Sequence, residues 1–517
     1  MSAFITRDGN IVPWGFGRDS DIWVPEAIWG HRLKEQPLHA LLGEFVNMAE
    51  GMFRKNELFE KTEPKQDVKY AARKAKELRI LLFQNPTLEQ VADKYQGASE
   101  QAWTQWLKNI QQSAKPSNPN DFSYLKAKFP NFQDLVTRIK LVRRSVMQPG
   151  NTKKWSHQLL YPMAPSALYV PTDDRFGRDR ILFARPGELA YLMLSRANDP
   201  LREELARLLP TNILPDTQKD NMILSLMPET QQFDEEIGGT YLPYRSHPSF
   251  DRLAQDLINV LKLGLPENDV FEVIKYLIAF NLYLYALETS NHWCGIAKAA
   301  PIVCEIMNTR SDVVRKYSGV CKRENEERSL DAVDTYLARL IGSNKNLTEV
   351  LENESETEEV KLSMLKDFLN TELSLKEVPT ARTVGEFKKE VVGRAKAACR
   401  NNVIKAQASL GRAAGLCTKL GTNRVRYSPS DALLRALVLA NVSNRMEESE
   451  LLNTLFDRYH IIVTAEHASS SLPEEVVEAS HFQKNHERFT RRLTALGLAT
   501  RLSDACRSEE RRVGKEC

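Results

Sequence analysis

The sequence predicts a mainly α-helical, multidomain protein that ends in a small module of helices and short strands. Three observations carry this. Apolar residues recur at three- and four-residue spacing from Pro25 onward. Strand-like runs are short and confined to about three places. Proline and asparagine clusters such as KPSNPND at 115–121 fall between the periodic stretches. The composition agrees. At 517 residues, 42% hydrophobic and 27% charged, the chain is globular and long enough to bury substantial cores.

The elements follow in order. Residues 1–30, rich in Gly, Trp and Asp, read as irregular structure or a short hairpin. Helices are expected at Ala40–Phe53, Val68–Phe83, Leu88–Tyr95, Glu100–Gln112 and Phe132–Met147, making an N-terminal helical domain over 1–147. Trp103 and Trp106 stand three apart, which places both on one buried helix face. The N-terminal aromatics Trp14, Phe16, Trp23 and Trp29 could also stack on bases. Residues 148–247 form an irregular mixed segment, with an extended pair at Ala167–Val170 and Arg180–Ala184 and helices at Gly187–Ser195 and Leu201–Leu208. A central helical domain spans 248–378, with helices at Phe250–Leu263, Val270–Ser290, Ala297–Asn308, Leu330–Ile341 and Lys361–Leu373. The most apolar run, Val270–Leu287, contains Glu272, Lys275 and Asn281, so it reads as a core helix and not a membrane span.

The net charge of +3 is small for this length, which argues against a chain coated in nucleic acid but permits a local basic face. One exists. In 380–426 eleven basic residues face only Glu386 and Glu390, a local excess of nine. Much of this segment reads as one long helix, Val384–Leu416. A helix this cationic, with Lys405 and Arg412 among its charges, can lie along a phosphate backbone and gain affinity by releasing counterions. It can equally pack against the acidic Glu352–Val360 run.

Residues 427–506 hold three further helical patterns. Ser428 or Ser430 caps the first, which carries Leu433, Leu434, Leu437 and Leu439. The second is Met446–Tyr459, with acids in its first turn and an arginine in its last. A β-branched run, Ile461–Thr464, suits a small sheet, and a polar linker, Ala468–Pro473, follows. The third helix, Phe482–Leu496, has Phe482, Phe489, Leu493 and Leu496 on one side and Lys484, Arg488, Arg491 and Arg492 on another. Gly497 stops it, and Leu498–Leu502 begins a hairpin. This order resembles winged-helix domains over about residues 429–506. The resemblance implies a third helix in the major groove of double-stranded DNA and a wing on the backbone. Lys484, Arg488, Arg491 and Arg492 would then meet phosphates or base edges, and Arg501 on the wing would meet phosphate. Residues 507–517, RSEERRVGKEC, look like the conceptual translation of a sequencing-library adapter and are set aside as a non-native tail.

Motifs for chemistry are absent. The sequence has no GxxxxGK[ST], GxGxxG, HExxH or GxSxG pattern. Seven scattered cysteines without CxxC pairs make neither a disulfide framework nor a zinc module, and fit a reducing cytosol. The N-terminus has no signal-peptide pattern. The expectation is therefore a cytoplasmic, bacterial, non-catalytic protein without cofactor or metal. It would bind DNA and protein partners as an accessory component of a DNA-handling system such as antiphage defence. Two alternatives stand beside it. One is a helical scaffold for partner proteins. The other is a metal-dependent nuclease built on Asp173, Asp174 and Asp179 in TDDRFGRDR, since paired acids can hold Mg²⁺.

Overall fold

The computed structural model describes residues 22–146, 186–214 and 225–501, short stretches within these ranges aside, together with the strand 511–513. Of these residues 68% are helical and 3% are in strands. The expected pair Ala167–Val170 and Arg180–Ala184, the acids Asp173, Asp174 and Asp179, and the aromatics Trp14 and Phe16 lie outside the described residues.

The chain opens with α1 (Pro25–Trp29) and α2 (Leu38–Arg54), then β1 (Arg73–Lys74). Five helices follow: α3 (Lys76–Phe83), α4 (Leu88–Lys94), α5 (Ser99–Ser113), α6 (Tyr124–Lys128) and α7 (Phe132–Val146). These five enclose a small core of their own. Trp103 and Trp106 meet edge to face at 5.6 Å, and both rings pack on Phe132. The Trp106 indole N–H, which burial would otherwise leave unpaired, donates to Asn85 Oδ1 at 3.0 Å. Leu226 and Met227 close this core from a distant part of the chain.

The main core takes everything else, α1 and α2 included. The expected N-terminal domain 1–147 is thus divided between two cores. Next come α8 (Pro186–Leu194), α9 (Asp199–Ile213), β2 (Gln232–Phe233), α10 (Pro248–Leu261) and α11 (Glu267–Trp293). α8 crosses α2 at Gly187, where a side chain has no room: a Cβ there would stand 2.2 Å from the Leu41 carbonyl oxygen. α11 is apolar on all sides and runs through the centre, touching α2, α10 and elements from the C-terminal half. It is long and apolar enough to cross a membrane, but 83% of its apolar window is buried inside the protein.

The second half contains β3 (Ile302–Val303), α12 (Val313–Ser343), α13 (Lys345–Glu352), α14 (Glu358–Leu373) and α15 (Val384–Cys399). α15 continues through a π-helical turn, Arg400–Ile404, into α16 (Lys405–Ala413). Then follow β4 (Cys417–Thr418), β5 (Arg426–Tyr427), α17 (Asp431–Asn441), β6 (Met446–Glu447), α18 (Glu448–Tyr459), β7 (Ile461–Ile462), α19 (Ala465–Ser471), α20 (Ala479–Ala495), β8 (Ala499–Arg501) and β9 (Arg511–Val513). The described strands form four small sheets. β1–β2 and β4–β5 are antiparallel pairs, β3–β7 is a parallel pair, and the fourth sheet has the order β6–β9–β8 with antiparallel neighbours.

Several expectations are corrected. Val68–Phe83 is helical only from Lys76, because Arg73 and Lys74 pair with Phe233 and Gln232. Ala297–Asn308 is not a helix. Ile302 and Val303 form β3, and a short apolar run with Pro301 before it cannot be told from a helix by periodicity alone. Leu330–Ile341 is the last part of a 31-residue helix. Ile461–Ile462 does form a strand, but beside β3 and not within the sheet of its own module. The linker Ala468–Pro473 is largely helix α19, which Thr464 caps by accepting from the His467 N–H. The set-aside tail supplies β9.

Candidate nucleic-acid interface

α20 carries the expected third-helix residues, and its packing decides which of them reach solvent. Phe482, Asn485, Phe489, Thr490 and Leu493 are buried, an i, i+3, i+4 stripe that seats the helix on the main core. Asn485 is the fixed point of this seat. Its Oδ1 accepts from the Ile306 N–H at 2.8 Å, and its Nδ2 donates to the carbonyls of Cys304 at 2.9 Å and Val463 at 3.1 Å. One side chain thereby ties α20 to the ends of both β3 and β7. The helix ends at Gly497, φ 71°, where the Leu498 N–H returns to the Leu493 carbonyl and the Gly497 N–H to that of Thr494. That left-handed closure needs glycine and turns the chain into β8.

The four expected cations divide evenly. Lys484 and Arg491 are exposed, Arg491 lying 3.6 Å from Glu487 on its own helix. Arg488 and Arg492 turn inward. Arg488 donates to Asp312 Oδ2 at 2.9 Å, at the start of α12, and Arg492 donates to Asp431 Oδ1 at 2.7 Å, at the start of α17. Burial works against the Asp312 carboxylate. The Arg315 N–H and the Arg488 guanidinium outweigh it and hold that carboxyl below its ordinary range. Each of these arginines thus joins an acid at a helix N-terminus, an intramolecular role that charge patterning along α20 could not reveal. Arg501 lies in β8 opposite Arg511.

The long basic helix is observed, ending at Ala413 and not Leu416. Phe387, Val391, Ala395, Cys399 and Val403 are buried at steps of four. Such a repeat overruns the α-helical turn by about 40° each time. The π turn, with more residues per turn, absorbs this overrun and brings Val403, Ala406 and Leu410 back to the core. The opposite side is cationic. Lys389, Arg400, Lys405 and Arg412 are exposed along it, with Glu35 3.9 Å from Arg412. The acidic run does not cancel this row. Glu358 instead accepts from the Val384 N–H at 2.6 Å and caps α15, while Arg394 pairs with Glu390 and Lys396 with Asp334.

Buried polar groups missed by sequence reasoning form one network, in which Arg252 donates to Asn281 Oδ1 at 3.0 Å and so joins the surroundings of Asp256 and Glu288. Asp256 takes Arg458, Tyr459 and Asn281. Glu288 takes Arg252 and Ser249, and His247 beside them accepts from the Ser249 N–H to cap α10. Their hydrogen bonds are spent on one another. Burial pushes the Cys294 thiol up to about 11 and the Cys417 thiol up to about 12, so neither is a thiolate nucleophile at neutral pH. Among the described residues no three His, Cys, Asp or Glu side chains group as metal ligands do. An apolar groove of about 530 Å³ opens between α12, α13, α14 and α15, lined by Leu337, Ile341, Leu351, Leu369 and Val391 and rimmed by Asp334 and Lys388.

No protein-family model, no curated protein and no solved structure matches this chain.

Proposed function

We propose that this chain is a non-catalytic protein that binds double-stranded DNA, an accessory component of a multi-protein DNA-handling system, with a winged-helix-like module at its C-terminal end. The observation that carries the reading is the cationic row Lys389, Arg400, Lys405 and Arg412, exposed along one side of a helix whose other side is core. A row of exposed cations can neutralise phosphates and gain affinity by releasing counterions. The element order of the module supports the same reading. After α17, β6, α18, β7 and α19, the basic helix α20 stands directly before strand β8. Lys484 and Arg491 are the cations this helix offers to a duplex.

The test is duplex binding by fluorescence anisotropy across a salt series with the full chain. Lys405→Ala/Arg412→Ala and Lys484→Ala/Arg491→Ala should each flatten the log–log salt slope by about 0.9 for every phosphate the variant no longer neutralises. Absence of salt-dependent binding, or slopes unchanged in both pairs, overturns the reading. The apolar groove favours a second reading, a scaffold that takes an apolar segment of a partner protein there.

A further inference from the structure

The outer face of α14 is an apolar patch framed by acids. Leu362, Leu365, Leu369 and Leu373 seat the helix on the core. On the opposite side Glu359, Val360, Ser363, Met364 and Asp367 are exposed. Val360 is 42% exposed and Met364 37%. Single exposed hydrophobics are ordinary on protein surfaces. Of the seven large ones exposed among the described residues, these two alone stand one turn apart on one helix. The row of cations on the basic helix has the matching plan. Lys389 and Arg400 are exposed there, with Gly393 and Ala397 exposed between them. A Cβ at Gly393 would point into open space. Along α14 the acids Glu359 and Asp367 are about 12 Å apart, and along the basic helix Lys389 and Arg400 are about 17 Å apart. The long stems of lysine and arginine span that difference and cover apolar surface as they do so. One molecule cannot bring the two faces together. Glu358 caps α15 at Val384, so α14 starts beside the start of the basic helix. The two helices then run side by side in one direction. Lys366 donates to the Ala381 carbonyl and lies over Phe387, and Leu369 shares a groove with Val391. Both outer faces therefore point to solvent. Arg400 lies about 24 Å beyond Val384, several times the screening length of about 8 Å in physiological salt, so the acids at the start of α14 leave it unneutralised. The net charge of +3 sets little repulsion between whole copies.

We infer that the outer face of α14 docks on the basic helix of a second copy of this chain, with Val360 and Met364 laid on Gly393 and Ala397, and Glu359 and Asp367 paired with Lys389 and Arg400. The two surfaces differ, so the contact is head to tail, and the copies at the ends of such an assembly each keep one face free. A single crossing of two helices covers less than the about 1,200 Å² of a stable interface, so the association is weak, reversible and sensitive to salt. It covers cations that the DNA-binding reading gives to phosphates, yet it needs no duplex and stands apart from that reading.

The experiment is sedimentation velocity of the full chain across a concentration series, at low and high salt and without DNA. The wild-type protein should gain mass with concentration at low salt and return to monomer at high salt. Glu359→Lys/Asp367→Lys and Lys389→Glu/Arg400→Glu should each stay monomeric alone. Mixed in equal amounts they should associate again, because the native face of one meets the native row of the other. A loss through misfolding would not be rescued by mixing. Val360→Ser/Met364→Ser should weaken the association severalfold without changing any charge. A wild type that stays monomeric at low salt overturns the inference and leaves the face to a different protein. Association that survives in either charge variant alone, or a mixture that stays monomeric, overturns it as well.

Discussion

Asn485→Ala isolates the side chain that seats α20 on the rest of the protein. Three buried backbone groups lose their partner at once: the Ile306 N–H and the carbonyls of Cys304 and Val463. An orphaned buried polar group costs about 1–3 kcal/mol, so even the lower figure gives a loss of about 3 kcal/mol for the three. The site is fully buried, and none of the three can turn to bulk solvent without moving β3 or β7. Asn485→Asp sharpens the argument. It keeps an acceptor for the Ile306 N–H but sets a second oxygen against two carbonyls. It should be at least as damaging near neutral pH and recover partly on acidification, when the carboxyl gains a proton to donate. Urea unfolding followed by circular dichroism measures both, at neutral and mildly acidic pH. Changes within about 0.5 kcal/mol of the wild type, the usual range for surface substitutions, would refute the claim that this amide holds the helix in place.

Three further outcomes are expected. Gly187→Ala drives a methyl against the Leu41 carbonyl and the Phe45 N–H of α2, both backbone, so it should lower stability by about 3 kcal/mol in denaturant titration; a neutral result would show that α2 and α8 can separate cheaply. Glu305→Ala strands Arg426 and Arg315 without their acid and should cost about 3–5 kcal/mol, whereas a loss under about 1 kcal/mol would mean the two guanidinium groups reach solvent. Burial foremost pushes the His247 imidazole down to about 3, with Glu288 opposing the shift and Arg252 and His292 adding to it. The unfolded chain takes that proton near pH 6.5 and the folded protein only near 3. Stability is therefore full above about pH 6.5 and falls by about 1.4 kcal/mol per unit as pH drops toward 3. His247→Asn keeps an acceptor for the Ser249 N–H without a titrating ring, so its stability deficit should shrink by about 2 kcal/mol between about pH 7.5 and about pH 5; a constant deficit would sink the assignment.

Helices were legible where one side of the pattern was apolar and the other polar. α5 and α7 fall within a residue or two of their expected bounds, and Trp103 with Trp106 shares the buried face their spacing implies. α11 was read as core from Glu272, Lys275 and Asn281 within its apolar run, and 83% of that run is buried inside the protein. Reading failed where a partner far along the chain decided the outcome. Nothing local marks Ile302–Val303 as a strand, since its pairing partner lies at Ile461–Ile462. The serines of α19 read as a linker because serine competes with the helix for backbone hydrogen bonds, yet the cap at Thr464 outweighs that local preference. The basic side of α20 was visible, but not the division of its charges. The acids that take Arg488 and Arg492 lie 176 and 61 residues away. The buried pair of Arg426 with Glu305 joins residues 121 apart, and nothing local marks it.

The parallel pairing of β3 with β7 also bears on how the protein is made. Ile302 and Val303 emerge from the ribosome well before Ile461 and Ile462, their only strand partners among the described residues. At typical rates of synthesis that interval is roughly ten to thirty seconds. For its duration β3 has unpaired N–H and carbonyl groups on an apolar strand, a template for the wrong neighbour. The main core cannot close ahead of the C-terminal segment, so a nascent chain stalled between the two strands would be a substrate for chaperones and proteases.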